Sequence, residues 1–204
     1  MSQEHETVVA FLNEGGGRFR KETIYTAPHP AFGTNGLQLV DLDGDGDLDV
    51  LLTNGDVLDQ PYVLKPYHSL IWLENRGSFP FMPHRLADCY GAGGPAVADF
   101  DGNGLLDIAF AVFLPVESFP QRVPQRLESV VLLEQVAPRK FVRHALESQT
   151  CDHLACAAGD LDGDGRPELV IGDFVPGGGV TVWHNTAEKQ GRATAIMDTP
   201  RVGR

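Results

Sequence analysis

Residues 37–54 read LQLVDLDGDGDLDVLLTN, and the fold is decided by how this stretch is read. A short apolar run ends at Val40, and a nine-residue segment from Asp41 to Asp49 then places acids at alternate positions with Gly44 and Gly46 between them. A second apolar run follows from Val50. The pattern is a strand, an acidic turn and a strand. It recurs as PAVADFDGNGLLDIAFAV at 95–112 and ACAAGDLDGDGRPELVIGDF at 155–174. The loops open at Asp41, Asp99 and Asp160, so the spacings are 58 and 61 residues.

A second element recurs in step with the first: VVAFLNEGGGRFRKETI (8–24), LIWLENRGSFPFMPHRL (70–86), VVLLEQVAPRKFVRHAL (130–146) and the shorter VTVWHN (180–185). Aligned, these place Asn13, Asn75, Gln135 and Asn185 together. Phe19, Phe81 and Phe141 follow six residues later, and His84 coincides with His144. Each unit is therefore two strands around an acid loop, then two around a polar turn. Four short antiparallel strands in about 60 residues, repeated in tandem, suit one blade of a β-propeller, which must stack on its neighbours to cover both faces. No window sustains a 3.6-residue apolar period, and 23 Gly and 14 Pro punctuate the chain too often for long helices.

The expected fold is all-β: a partial β-propeller of about three and a half four-stranded blades within residues 1–190. The chain opens on the last two strands of a blade (about 7–24). Two whole blades follow (37–86 and 95–146), then the first three strands of another (154–185). Residues 191–204 read as a tail or a degenerate final strand. Closure needs at least four blades, so the chain is expected to be part of a longer propeller or half of a seven-bladed ring completed by a second copy.

The chain has 204 residues and is 42% apolar, enough to bury a core. With 16 Lys and Arg against 28 Asp and Glu, its formal charge is −12. The windows 41–49, 99–107 and 160–168 hold 5, 3 and 4 acids and one base, Arg166, for a total of −11. The remaining residues carry 16 acids and 15 bases, so almost all of the imbalance lies in three loops. This argues against nucleic acid as a partner. No run of 18 apolar residues suggests membrane insertion, and MSQEHETVVAFLNEG lacks the pattern of a signal peptide. Cys89, Cys151 and Cys156 fit neither a disulfide scaffold nor a CxxC site. They read as isolated small buried residues, or as one disulfide from Cys89 to Cys151 or Cys156.

The acid loops share the pattern Asp-x-Asp-x-Asp/Asn-Gly-x-x-Asp/Glu. Hard cations such as Ca²⁺ take six to eight oxygens, and carboxylates at alternate positions of a curled loop converge on one point. Up to three Ca²⁺ ions are expected. The first site would use Asp41, Asp43, Asp45 and Asp49 with the Asp47 carbonyl. The second would use Asp99, Asp101, Asn103 and Asp107 with the Leu105 carbonyl, and the third Asp160, Asp162, Asp164 and Glu168 with the Arg166 carbonyl. An EF-hand is rejected, because position 12 is Leu52, Phe110 or Ile171 and the flanks are strands. The neutral amide of Asn103 should make the second site the weakest, with the third intermediate.

On these loops, repeated over about 7–186, the chain resembles the FG-GAP/VCBS repeat family, the propellers typified by the integrin α-subunit head. Phe32-Gly33 resembles one half of the family's signature, and Gly91-Ala92-Gly93-Gly94-Pro95 the other. The resemblance implies Ca²⁺ in the acid loops, a location outside the cytoplasm (secreted, periplasmic or cell surface), and adhesion or ligand binding.

Ligand contact is expected on the face of the long connections, which carry His29, Tyr62, Tyr67, His68, Tyr90, Phe119, Arg122, Arg126 and His153, a mixture suited to protein or glycan. Catalytic readings have less behind them. There is no GxSxG, HExxH or P-loop, and no paired carboxylates outside the acid loops. The expected function is a non-catalytic calcium-binding module for binding or scaffolding. The alternative is the propeller portion of a polysaccharide lyase or hydrolase.

Overall fold

A computed structural model describes residues 6–59 and 61–186. The strand suggested by residues 191–197 lies outside them. The described chain is all-β, a partial β-propeller of four antiparallel sheets. The first sheet pairs β1 (Thr7–Gly15) with β2 (Arg18–Thr26). The second runs in order through β3 (Thr34–Val40), β4 (Asp49–Asn54), β5 (Ser69–Glu74) and β6 (Met82–Asp88). The third contains β7 (Ala92–Ala98), β8 (Asp107–Val112), β9 (Glu128–Ala137) and β10 (Lys140–Ser148). The fourth has three described strands, β11 (His153–Gly159), β12 (Glu168–Asp173) and β13 (Val180–Trp183).

The middle strands explain why the sheets stack. All six residues of β4, of β5 and of β8 are buried, so these strands have no solvent face. Because side chains alternate, each strand serves two cores. Val50, Leu52, Ile71 and Leu73 pack toward Val8 and Ile24 of the first sheet. Leu51, Leu70 and Trp72 point the other way, to Ile108, Phe110, Val131 and Leu133 of the third. Ala109, Val130 and Leu132 then meet Leu169, Ile171 and Trp183 of the fourth. Fully burying one such side chain stabilises by roughly 1.5–3 kcal/mol. Three inter-sheet cores therefore hold the described chain together, and no sheet carries a core of its own.

The first strands of successive sheets, β3, β7 and β11, lie side by side. Glycine permits close approach of neighbouring sheets at two points, just after β4 and within β7. A Cβ on Gly55 would stand 2.2 Å from the Ala92 carbonyl oxygen, and one on Gly93 would stand 2.3 Å from that of Leu154.

All three cysteines are free. Burial pushes the thiols of Cys89 and Cys156 up to about 12, so both stay neutral and are poor nucleophiles near neutral pH.

Candidate metal centres

The acid loops are the hairpin turns between the first two strands of sheets two, three and four. Pairing closes at Val40 with Asp49, Ala98 with Asp107 and Gly159 with Glu168, so position 9 of the motif is already the first residue of the return strand. Glycines at positions 4 and 6 take positive φ, 76° and 95° in the first loop, which lets the chain curl around its own first carboxylate. Asp41 Oδ1 accepts the amide hydrogens of Gly44 (2.9 Å) and Asp45 (3.1 Å), and Oδ2 accepts that of Gly46 (3.0 Å). Asp99 binds Gly102 and Gly104 in the same way, and Asp160 binds Gly163 and Gly165.

This curl gathers carboxylates. Ligand atoms of Asp41, Asp43 and Asp45 lie within 4.8 Å of one another, and so do those of Asp99, Asp101 and Asp107 and those of Asp160, Asp162 and Asp164. Asp47 is exposed, and its N–H donates to Asp45 Oδ1 (2.8 Å). Asn103 Oδ1 accepts the Leu105 N–H (2.7 Å), while its amide group donates to Asp101 Oδ2 (2.9 Å) and to the Gln135 carbonyl (3.1 Å). The Arg166 N–H bonds Asp164 Oδ1 (2.8 Å), and its guanidinium pairs with the same carboxylate.

The acid at position 9 has a second duty. Asp49 is fully buried; its Oδ2 accepts the Leu42 N–H (3.2 Å) and its Oδ1 the Asn75 N–H (2.7 Å). Asp107 repeats this with Phe100 (2.9 Å) and Gln135 (2.7 Å). The Asn75 side-chain amide donates to the Leu48 carbonyl (3.2 Å), that of Gln135 to Leu106 (2.8 Å) and that of Asn185 to Phe100 (2.7 Å). In the second and third sheets the acid loop and the polar turn are therefore tied by hydrogen bonds within one blade, which explains why the two recur in step along the sequence, whereas Asn185 of the fourth sheet reaches back to the acid loop of the third. Burial raises the carboxyl of Asp49, and it pushes that of Asp107 up to about 7 against the amide hydrogen bonds that favour the anion.

Other charged residues stand outside the acid-loop motif, some of them bonded to it. Glu74, the last residue of β5, is buried 2.7 Å from His84 Nε2, and Glu134 stands at the same distance from His144 Nε2. Burial alone would raise the Glu74 carboxyl, but hydrogen bonds from Arg76, His84 and Arg139 bring it down to about 2. Arg139, in the β9–β10 turn, crosses between sheets: it pairs with Glu74, bonds Asp43 Oδ2 at 2.7 Å and stacks 4.8 Å above the Trp72 ring. A Glu and a His ten residues apart in two repeats were the available signal for the first pair. Nothing in the sequence marks Arg139.

The long-connection residues divide. His29, Tyr62, Tyr90 and Arg126 are exposed. His68, Phe119, Arg122 and His153 are buried, which removes them from a contact surface. Arg122 bonds the Leu114 carbonyl (2.5 Å) and Asp152 (2.6 Å), and His153 is held between Glu147 (2.5 Å) and Asp173 (2.7 Å).

Fold and loops together define a tandem-repeat propeller with an acidic hairpin in each blade that has its first two strands. Residues 2–52, which reach from before β1 into β4 and include the whole first acid loop, match the family model of the FG-GAP-like repeat, which supports assigning this part of the chain to the FG-GAP repeat family. No curated protein matches it. No helix among the described residues is long and apolar enough to cross a membrane.

Proposed function

We propose that the three loops hold Ca²⁺ and that the chain is a calcium-stabilised, non-catalytic module for binding protein or glycan. The observation that carries this reading is Asp43. Its side chain is about nine-tenths buried, and Oδ1 has no hydrogen-bond partner although it belongs to a cluster of three carboxylates. A buried acceptor without a donor is costly, and a hard cation is the partner that alternating carboxylates suit. Asp41, Asp43 and Asp45 would hold the first ion, with Asp49 supporting the loop. Asp99, Asp101 and Asp107 would hold the second, and Asp160, Asp162 and Asp164 the third. The ions would replace repulsion within each hairpin by attraction, so their role is structural.

A place outside the cytoplasm, where Ca²⁺ sites of extracellular modules work at about 10⁻⁴–10⁻³ M, is part of this proposal. Tyr62, Tyr90 and His29 are the exposed side chains that would meet a ligand on the long-connection face. Further blades, from a second copy or from more chain, would cover the apolar faces that the end sheets expose at Phe11 and Val180. A monomeric mass in sedimentation excludes the second copy.

The test is thermal melting in EDTA and in excess Ca²⁺. Binding at 100 times Kd adds about 2.7 kcal/mol per site, a rise of several degrees. D43N should lose part of that rise and D99N less, since the second site is the weakest. Identical melting curves in the two buffers refute the reading.

A further inference from the structure

The third loop differs from the other two in what stands beside it. Strand β5 ends in Glu74, and Glu134 holds the corresponding place in β9, each capped by a histidine from the strand that follows. The alignment that brings Asn185 onto Asn75 and Gln135 puts His184 in the place of those glutamates. An imidazole thus replaces a carboxylate at the edge of an acid loop.

Its surroundings are those of a ligand. A ring nitrogen of His184 and carboxylate oxygens of Asp162 and Glu168 lie within 4.8 Å of one another. The imidazole makes no hydrogen bond or ion pair with any described residue, so these three groups converge without bonding. Glu168 is 1% exposed, and its Oε2 takes the Leu161 N–H at 2.8 Å, which fixes the carboxylate in place. Asp162 belongs both to this group and to the cluster with Asp160 and Asp164. Arg166, the one base in the loop, is paired with Asp164 and leaves the His184 side free of a competing cation.

We infer that Asp162, Glu168 and His184 form a site for a borderline divalent transition-metal ion, Zn²⁺ by chemical class, at the edge of the third acid loop and sharing Asp162 with it. Imidazole is a poor ligand for Ca²⁺ and a good one for Zn²⁺, and one nitrogen with two carboxylate oxygens leaves room for water in a four-coordinate shell. The first two loops offer oxygen ligands alone, because His84 and His144 are taken up by glutamates. The site shares Asp162 and Glu168 with the calcium reading, but its selectivity rests on His184.

The experiment titrates Zn²⁺ into the full chain by calorimetry in millimolar Ca²⁺, then repeats the titration with Co²⁺, whose visible absorption reports the coordination geometry. One equivalent is expected to bind in the presence of Ca²⁺. H184A should weaken it by roughly tenfold or more, and D59N, which changes an exposed carboxylate outside the acid loops, should leave it unchanged. H184A alters an exposed side chain, and H184E restores the residue type of the other blades, so both should keep the wild-type circular dichroism spectrum. Zn²⁺ binding that is absent, or indifferent to H184A and H184E, overturns the site. A chain that ignores Ca²⁺ yet binds Zn²⁺ through His184 upholds it while the calcium reading fails, and the converse result separates the two just as cleanly.

Discussion

Buried ionisable groups set the chemistry at the residue scale, and His68 offers the most direct test. Its Nδ1 accepts the Gly91 N–H at 3.3 Å, and Nε2 is buried with no partner, so the folded protein holds the ring neutral. Burial, helped by the charge of Lys65, pushes its pKa down to about 4 from an ordinary 6.5. Between those values the unfolded chain carries a proton that the folded chain does not, so stability rises with pH across the window and is lost as pH falls through it. The loss should reach on the order of 2 kcal/mol by pH 4, after allowance for partial screening. Because other groups titrate in the same window, the test is the difference: between pH 7.0 and 4.5, urea unfolding should show the wild type losing stability relative to H68Q. Equal pH dependence in the two proteins would count against a neutral buried His68. Asp107 shifts in the opposite direction. Its raised carboxyl binds a proton in the folded state first, so without metal it favours the fold at low pH and costs stability as pH rises through about 7.

Sequence and structure meet most closely in the hairpins and turns, at the scale of single elements. The alternating acids and the aligned Asn, Phe and His positions were legible because each repeats at a fixed spacing. The buried bonds from Asp49 to Asn75 and from Asp107 to Gln135 supply the physical reason for that spacing. Arg139 was not legible, since it reaches across sheets to Asp43 and Glu74 and such contacts leave no local pattern. The burial of His68, Arg122 and His153 was hidden for a related reason. A polar residue in a connection looks solvated until the partners that let it go inside are known. Arg139 now supports a prediction of its own. Truncation in R139A leaves the buried Glu74 and Asp43 without their shared cation. Because the arginine is half exposed, the cost should be about 2 kcal/mol rather than the 3–5 of a fully buried pair. Under the calcium proposal the metal takes over the neutralisation of Asp43, so the cost measured by chemical denaturation should shrink in excess Ca²⁺. A cost identical with and without Ca²⁺ would place Asp43 outside the first metal site.

For the whole molecule, the placement of the cores between sheets determines how the chain comes apart. Stability in such a stack is approximately a sum of repeat and nearest-neighbour interface contributions. Phe110 is fully buried in the core joining the second and third sheets, and F110A should cost about 3–5 kcal/mol. The two tryptophans stand on either side of the damage: Trp72 lies in this same core, and Trp183 lies in the next, against β9 and β12. Single-tryptophan variants, W72F and W183F, can therefore report the two interfaces separately by fluorescence. In the parent chain the two probes should unfold together. In F110A the Trp72 signal should move to lower denaturant ahead of that of Trp183, because the third and fourth sheets keep their own interface when the earlier one is weakened. Two probes that shift by the same amount would mean that the sheets unfold as one indivisible unit, and the nearest-neighbour account would then fail for this propeller.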